Sequence, residues 1–282
     1  MTRNRESLTC ILVEKLPFDR IIFAAANKKM SELNEAHWYE TWFDSPHYHT
    51  LYGHRSQDEA QDFIQHLNSE LGWDNLQLLD LACGKGRHAS SAAKLGHHVV
   101  GLDLSPNSIQ AARNVHGAEK RITFVEGDMR HFKLNQVFDG ILNLFTSFGY
   151  FESPEDQVQV LKQVRSHLKT GGFFVLDFLN LGYAQHNMVS QEEVSRGHIT
   201  FQIQREFTDL NPRMKGFKKT ISFESDGKTH VHQERVAGLN KDALISMLEG
   251  EGFNISACYG DYNLSEWHPV DSPRLILYAI AS

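Results

Sequence analysis

The chain reads as an α/β protein, a mostly parallel sheet with helices on both faces. Short apolar runs alternate with segments of helical period, and helix-start signals stand between them. Strands are expected near Leu76–Ala82, His98–Leu102, Ile122–Val125, Asp139–Leu144 and Phe173–Leu179. Ser105-Pro106 supplies a cap and a first-turn proline, after which Ile109, Ala112 and Val115 form one face. Ser153, Pro154 and Asp156 repeat the device for a helix with Val158, Leu161, Val164 and Leu168 facing inward and Gly171 at its end. Alternation of this kind implies right-handed crossovers and a ligand at the carboxyl ends of the strands.

Beyond the fifth strand the period changes to two. Ile199, Phe201 and Ile203, then Phe217, Ile221 and Phe223, alternate with polar neighbours, with Lys219 as a charged exception and Asp226-Gly227 marking a hairpin. This predicts an antiparallel β insert of about three strands over residues 196–236. Asn240 then caps a helix carrying Leu244, Met247 and Leu248, ended by Gly250 and Gly252. Strands around Asn254–Tyr259 and Arg274–Ala281 close the chain. Residues 1–29 lack a cap or periodic face and are expected to be a poorly ordered extension ahead of Met30. The organisation expected is thus that extension, residues 30–195 with lid helices and the cofactor-binding core, the 196–236 insert, and the end of the core in 237–282.

With 282 residues, 41% of them hydrophobic and 22% charged, the chain can bury one large core. Its three cysteines, Cys10, Cys83 and Cys258, are far apart and form no C-x-x-C pair. A reducing, cytoplasmic setting is expected. Ile21–Ala26 is too short an apolar run for a membrane span, and Glu6, Glu14 and Asp19 spoil a leader peptide. A net charge of −7 disfavours a nucleic-acid partner. The sixteen histidines are scattered without metal-ligand spacing, so no metal site is expected.

The densest chemistry lies in LLDLACGKGRHASSAAKLGHHVVGLD, Leu78–Asp103. Gly84 and Gly86 let a turn bend sharply and a ligand approach the backbone, and the following helix presents unpaired amides. With Ala89 they also satisfy the dinucleotide pattern, Asp103 lying about 20 residues on as the ribose carboxylate. Asp80 separates the two cofactor readings, because a carboxylate there repels a diphosphate but suits a cation. Cys83 reads as a small buried filler.

Asp80, Ala82, Gly84 and Gly86, followed by Asp103 and by the GDM at Gly127–Met129, resemble the successive cofactor motifs of class I S-adenosylmethionine-dependent methyltransferases. The resemblance covers roughly residues 35–282 and implies a Rossmann-like sheet of seven strands. It further implies that Asp80 and the backbone of Ala82 and Gly84 sit near the methionine ammonium. Asp103 would accept both ribose hydroxyls, Leu104 would pack on adenine, Asp128 would take its exocyclic amine, and the Met129 amide would meet a ring nitrogen. A carboxylate can accept two hydrogen bonds at once from a vicinal diol.

In the aromatic segment His37–Arg55, Tyr52 and Arg55 match loosely the tyrosine and arginine that close over the cofactor in related enzymes. NLFTSFGYF, from Asn143, occupies the place of the acceptor motif; Asn143 joins the cofactor set, and Tyr150 is the candidate acid/base or positioning group, with packing as its competing role. The segment lacks the N-P-P-Y pattern of nucleic-acid amino-methyltransferases. A small-molecule acceptor, methylated at nitrogen or oxygen by a monomer or homodimer, is therefore expected. The alternatives are an RNA-directed methyltransferase, an NAD-dependent oxidoreductase and a non-catalytic cofactor-binding protein. The insert is expected either to cover the substrate or to form a dimer interface, and its removal to leave the cofactor site intact.

Overall fold

The computed structural model describes residues 38–53, 56–151 and 153–282. The extension expected at 1–29 lies outside the described residues, as does Arg55. The helices are α1 (Trp38–Phe43), α2 (Pro46–Tyr52), α3 (Gln57–Leu71), α4 (Arg87–Lys94), α5 (Pro106–His116), α6 (Pro154–His167), α7 (Leu181–His186) and α8 (Lys241–Gly250). The first five strands are β1 (Gln77–Leu81), β2 (His98–Asp103), β3 (Ile122–Glu126), β4 (Phe138–Asn143) and β5 (Leu168–Leu179). The remaining six are β6 (Gln191–Arg196), β7 (Ile199–Asn211), β8 (Met214–Ser225), β9 (Lys228–Ala237), β10 (Phe253–Tyr259) and β11 (Arg274–Ala281).

Seven strands form one sheet in the order β10-β11-β5-β4-β1-β2-β3. Pairing is parallel from β5 to β3, while β11 runs antiparallel to both its neighbours. Strands covered on both faces read as continuous apolar runs. Alternate residues then serve opposite sides: Leu79, Ile141, Phe174 and Leu176 join α6 and α8 in one core, and Leu78, Leu142, Phe173 and Val175 join α3, α4 and α5 in the other. The serine caps of α5 and α6 are formed, Ser105 accepting from Ser108 N and Ser153 from Asp156 N.

Two details of the helix faces differ from expectation. Val115 is 72% exposed although its turn reaches β3 through Arg113 and His116, which meet Phe124, and α6 buries Gln157, Val160, Leu161 and Val164 with Val158 only half-buried. The α6 chain also enters β5 directly at Leu168, and Gly171 sits with positive φ in the irregular start of that strand.

The insert is a separate four-stranded antiparallel sheet, β6-β7-β8-β9, spanning 191–237. Its first strand, QEEVSR, carries a single apolar residue and lies exposed at the edge, so no alternation announced it. The register sets Ile203 opposite Ile221, Ile221 opposite His232 and Lys219 opposite Glu234, on one face. That face packs Ile199, Phe201, Ile203, Ile221 and Phe223 against Trp42 and Leu51 of α1 and α2. Among the described residues, no helix is long and apolar enough to cross a membrane.

Candidate cofactor and acceptor site

The carboxyl ends of β1, β2, β3 and β4 open on a cavity of about 400 Å³, closed on its other side by α1, α2 and the start of α3. The turn after β1 is tightly wound, with positive φ at Ala82 (65°), Gly84 (55°) and Gly86 (78°). A side chain at Gly84 would meet nothing within 4 Å, so it is the left-handed backbone that calls for glycine there. Gly86 has a second reason, since a Cβ would stand 2.6 Å from the Phe124 ring. Cys83, buried at 5% exposure, has its thiol pushed well up by burial and by Asp80 and Asp103, and is held in its neutral form.

Asp103 lies where β2 ends, on the wall of the cavity. Its Oδ2 accepts from Gly84 N at 2.8 Å and its Oδ1 from Ser105 N at 2.9 Å, so it joins the turn to the cap of α5. Burial raises its pKa, and these two amides oppose the rise. Asp80 is 1% exposed and lies behind the cavity lining, its Oδ2 accepting from Ala89 N at 3.1 Å inside the first turns of α4. Burial raises Asp80 to about 7, opposed by that amide and by Arg87 and reinforced by Asp103.

Ala82, Leu104, Asp128 and Met129 also line the cavity. Asp128 is held by Arg130, which donates to it from Nη2 at 2.6 Å and from its backbone at 2.8 Å. These bonds keep the carboxylate below its usual range against the pull of desolvation. Asn143 is fully buried and outside the lining; its Nδ2 donates to Leu81 O at 3.0 Å and ties β4 to the end of β1.

Tyr52 lines the cavity, but its hydroxyl is committed to the insert. It donates to the Glu234 carboxylate at 2.7 and 2.8 Å to its two oxygens and takes a bond from Lys219 Nζ. Glu234 also accepts from Trp42 Nε1 at 2.7 Å, so one β9 carboxylate holds both α1 and α2. Lys219, the charged exception in the alternation, is thereby explained, and no residue of 196–236 itself lines the cavity. The four-stranded sheet therefore supports the cavity wall from behind. Beside Glu234, His232 stacks on Trp42 at 4.3 Å and is pushed down to about 4 by burial, with His230 and His47 adding to the shift.

The segment after β4 completes the lining with Phe145, Ser147 and Tyr150. Phe145 and Thr146 both have positive φ, 62° and 67°. Such backbone costs about 1–3 kcal/mol per residue and persists where surroundings over-determine it. Here Asp177, fully buried in β5, accepts from Phe145 N at 2.8 Å, from Arg274 Nε at 2.7 Å and from the Tyr262 hydroxyl at 3.1 Å. Arg274 Nη2 adds a 2.8 Å bond to Thr146 Oγ1. Tyr150 stands in an aromatic wall, 4.9 Å from Phe43 and 5.6 Å from Trp38 between ring centres. Sequence reasoning missed Arg87, Phe145, Asp177 and Arg274; the last two are separated by 97 positions, and no local motif joins them.

Residues 78–172 match the family model described as a methyltransferase domain. Among curated relatives, the chain is 32% identical over 136 residues to the dTDP-3-amino-3,4,6-trideoxy-alpha-D-glucopyranose N,N-dimethyltransferase of Streptomyces venezuelae, covering 46% of this chain and 54% of that protein. It is 24% identical over 246 residues to the glycine/sarcosine N-methyltransferase of Aphanothece halophytica, covering 85% and 86%. The chain spans about half the length of the first of these and of several other curated relatives. Among solved structures, an S-adenosylmethionine-dependent methyltransferase from Clostridium acetobutylicum aligns with a TM-score of 0.70 at 18% identity, over 91% of this chain and 99% of that one. The CcbJ methyltransferase from Streptomyces caelestis aligns at 0.71 and 17%, over 86% and 99%. Residues 78–172 thus resemble a methyltransferase domain, and the seven-stranded sheet has the Rossmann-like fold shared with S-adenosylmethionine-dependent methyltransferases.

Proposed function

We propose that the chain transfers a methyl group from S-adenosylmethionine to nitrogen or oxygen of a small metabolite. The observation that carries this reading is one continuous cavity that joins the Asp103 and Asp128 carboxylates at one side to the Phe145–Tyr150 segment at another. Asp103 receives the ribose hydroxyls, Leu104 and Met129 flank the adenine, and Asp128 takes its amine. Asp80 acts through the turn: from behind the wall its charge favours the ammonium and sulfonium, and it would disfavour a dinucleotide's diphosphate. Methyl transfer from a sulfonium disperses charge in an in-line displacement, so alignment and exclusion of water supply most of the acceleration, up to ~7–11 kcal/mol in favourable cases. Aromatic rings lining the cavity suit both tasks, and they also attract cations.

A cavity of about 400 Å³ is in the size range of small-molecule sites. The relatives named as aminosugar and glycine/sarcosine methyltransferases act on small molecules by their names, which supports the same class here. Tyr150, in the cavity lining, positions the acceptor. The enzyme works in the cytoplasm as a monomer or homodimer. Incubation with methyl-labelled S-adenosylmethionine and separate metabolite and RNA fractions tests the reading. Label recovered in a small molecule is expected; label in RNA alone, or binding of NAD in place of S-adenosylmethionine, would overturn it.

A further inference from the structure

Arg87 opens α4 immediately after the glycine turn and lines the cavity. Its guanidinium lies over the Phe145 ring, 4.7 Å from the ring centre, and its side chain is only 17% exposed. One edge is fixed: Nη1 donates to Ser56 O at 3.2 Å and faces Glu59 Oε1 at 3.4 Å, a carboxylate that is itself 46% exposed. Its Nε and Nη2 make no hydrogen bond among the described residues. The charge is close enough to act on buried Asp80, so it stands at the same end of the cavity as that carboxylate. Meanwhile Tyr52, expected at the cofactor's carboxylate, has its hydroxyl engaged by Glu234 and Lys219.

We propose that Arg87 binds the methionine carboxylate of S-adenosylmethionine through the free edge of its guanidinium. The inference rests on the cofactor assigned above. The zwitterion is then matched group for group: its ammonium lies in the field of Asp80 and its carboxylate on Arg87. A planar guanidinium held on one edge loses little freedom when a carboxylate docks on the other. Since the same group covers Phe145, carboxylate binding also fixes the aromatic at the start of the acceptor segment, so a cofactor that carries its amino-acid tail orders the place where the methyl acceptor arrives.

The test compares S-adenosylmethionine with its decarboxylated form, which keeps adenosyl, sulfonium and ammonium and lacks only the carboxylate. By calorimetry the wild-type chain should prefer the intact cofactor by about ten- to a hundredfold, the worth of a charged hydrogen-bonded pair. Arg87→Gln should erase that preference by weakening the intact cofactor alone, and Arg87→Lys should keep part of it. A variant that retains the full preference, or one that loses both ligands equally, would overturn the assignment. If Arg87→Gln does not fold, the intermediate ratio in Arg87→Lys decides, and a wild-type ratio there overturns the proposal. Failure of the wild-type chain to bind either ligand overturns the cofactor reading itself, a result distinguishable from the other two.

Discussion

Asp80, buried, and Asp103, half-buried, are carboxylates near the glycine turn whose surroundings give them different work. Asp80 is raised to about 7 by desolvation, opposed by the Ala89 amide and Arg87. Between its ordinary value and about 7, the folded chain holds a proton that the unfolded chain has released. Ionisation of Asp80 therefore subtracts from stability as pH rises through that window. A cationic ligand favours the ionised form, so by the same linkage S-adenosylmethionine should bind more tightly as pH rises from about 6 to 8, and release a proton on binding near the lower end. Calorimetry in buffers of different ionisation enthalpy reads this directly. Asp80→Asn should flatten the profile, and a wild-type affinity independent of pH would remove Asp80 from any coupling to the cofactor. Asp103 accepts from two backbone amides besides the cofactor role proposed for it. Asp103→Asn should thus weaken S-adenosylmethionine by about 1.5–3 kcal/mol and also lower the melting temperature. An affinity loss with unchanged melting temperature would show that the turn does not depend on it.

At the scale of elements, the four-stranded sheet and the helices in front of it behave as one unit. The sheet's apolar face is covered by α1 and α2, and those helices supply Tyr39, Phe43, Tyr48 and Tyr52 to the cavity wall. Removing 196–236 would uncover Trp42 and Leu51, so the expectation that the cofactor site would survive such a deletion does not hold on physical grounds. A point substitution is the sharper probe. Glu234 is 14% exposed at its side chain, faces Lys219 at 3.6 Å and accepts from Trp42 and Tyr52. Glu234→Ala removes the carboxylate that faces the largely buried Lys219 ammonium and takes the acceptor from the Trp42 indole N–H and the Tyr52 hydroxyl, and should cost about 2–3 kcal/mol in denaturant unfolding. Glu234→Gln, which still accepts, should cost about 1 kcal/mol. Equal melts for all three chains would mean that packing alone holds α1 and α2 against the sheet.

Across the whole molecule, what could be read from the residues was what local chemistry dictates. The five parallel strands, the serine-proline caps and the glycine turn each depend on neighbours within a few positions. The exposed β6 strand escaped because edge residues facing water need no alternation. The site's long-range links were illegible for a different reason: they exist only after β11 inserts antiparallel beside β5. That insertion sets Arg274 opposite Leu179 and brings its guanidinium to Asp177 and Thr146. The last strand thereby fixes the left-handed pair Phe145 and Thr146 beside the end of the cavity proposed for the acceptor. Arg274→Lys keeps the charge but cannot bridge Asp177 and Thr146 with the same fork. The cofactor contacts proposed for Asp103 and Asp128 are untouched by this change, so S-adenosylmethionine affinity should stay within about twofold, while kcat falls by about ten- to a hundredfold through misalignment of the acceptor. Single-turnover methyl transfer at saturating cofactor separates the two effects. A parental rate there would mean that the strained pair holds its shape without Arg274, and an equal loss of cofactor affinity would make the Asp177 cluster a general support of the fold with no specific hold on the acceptor segment.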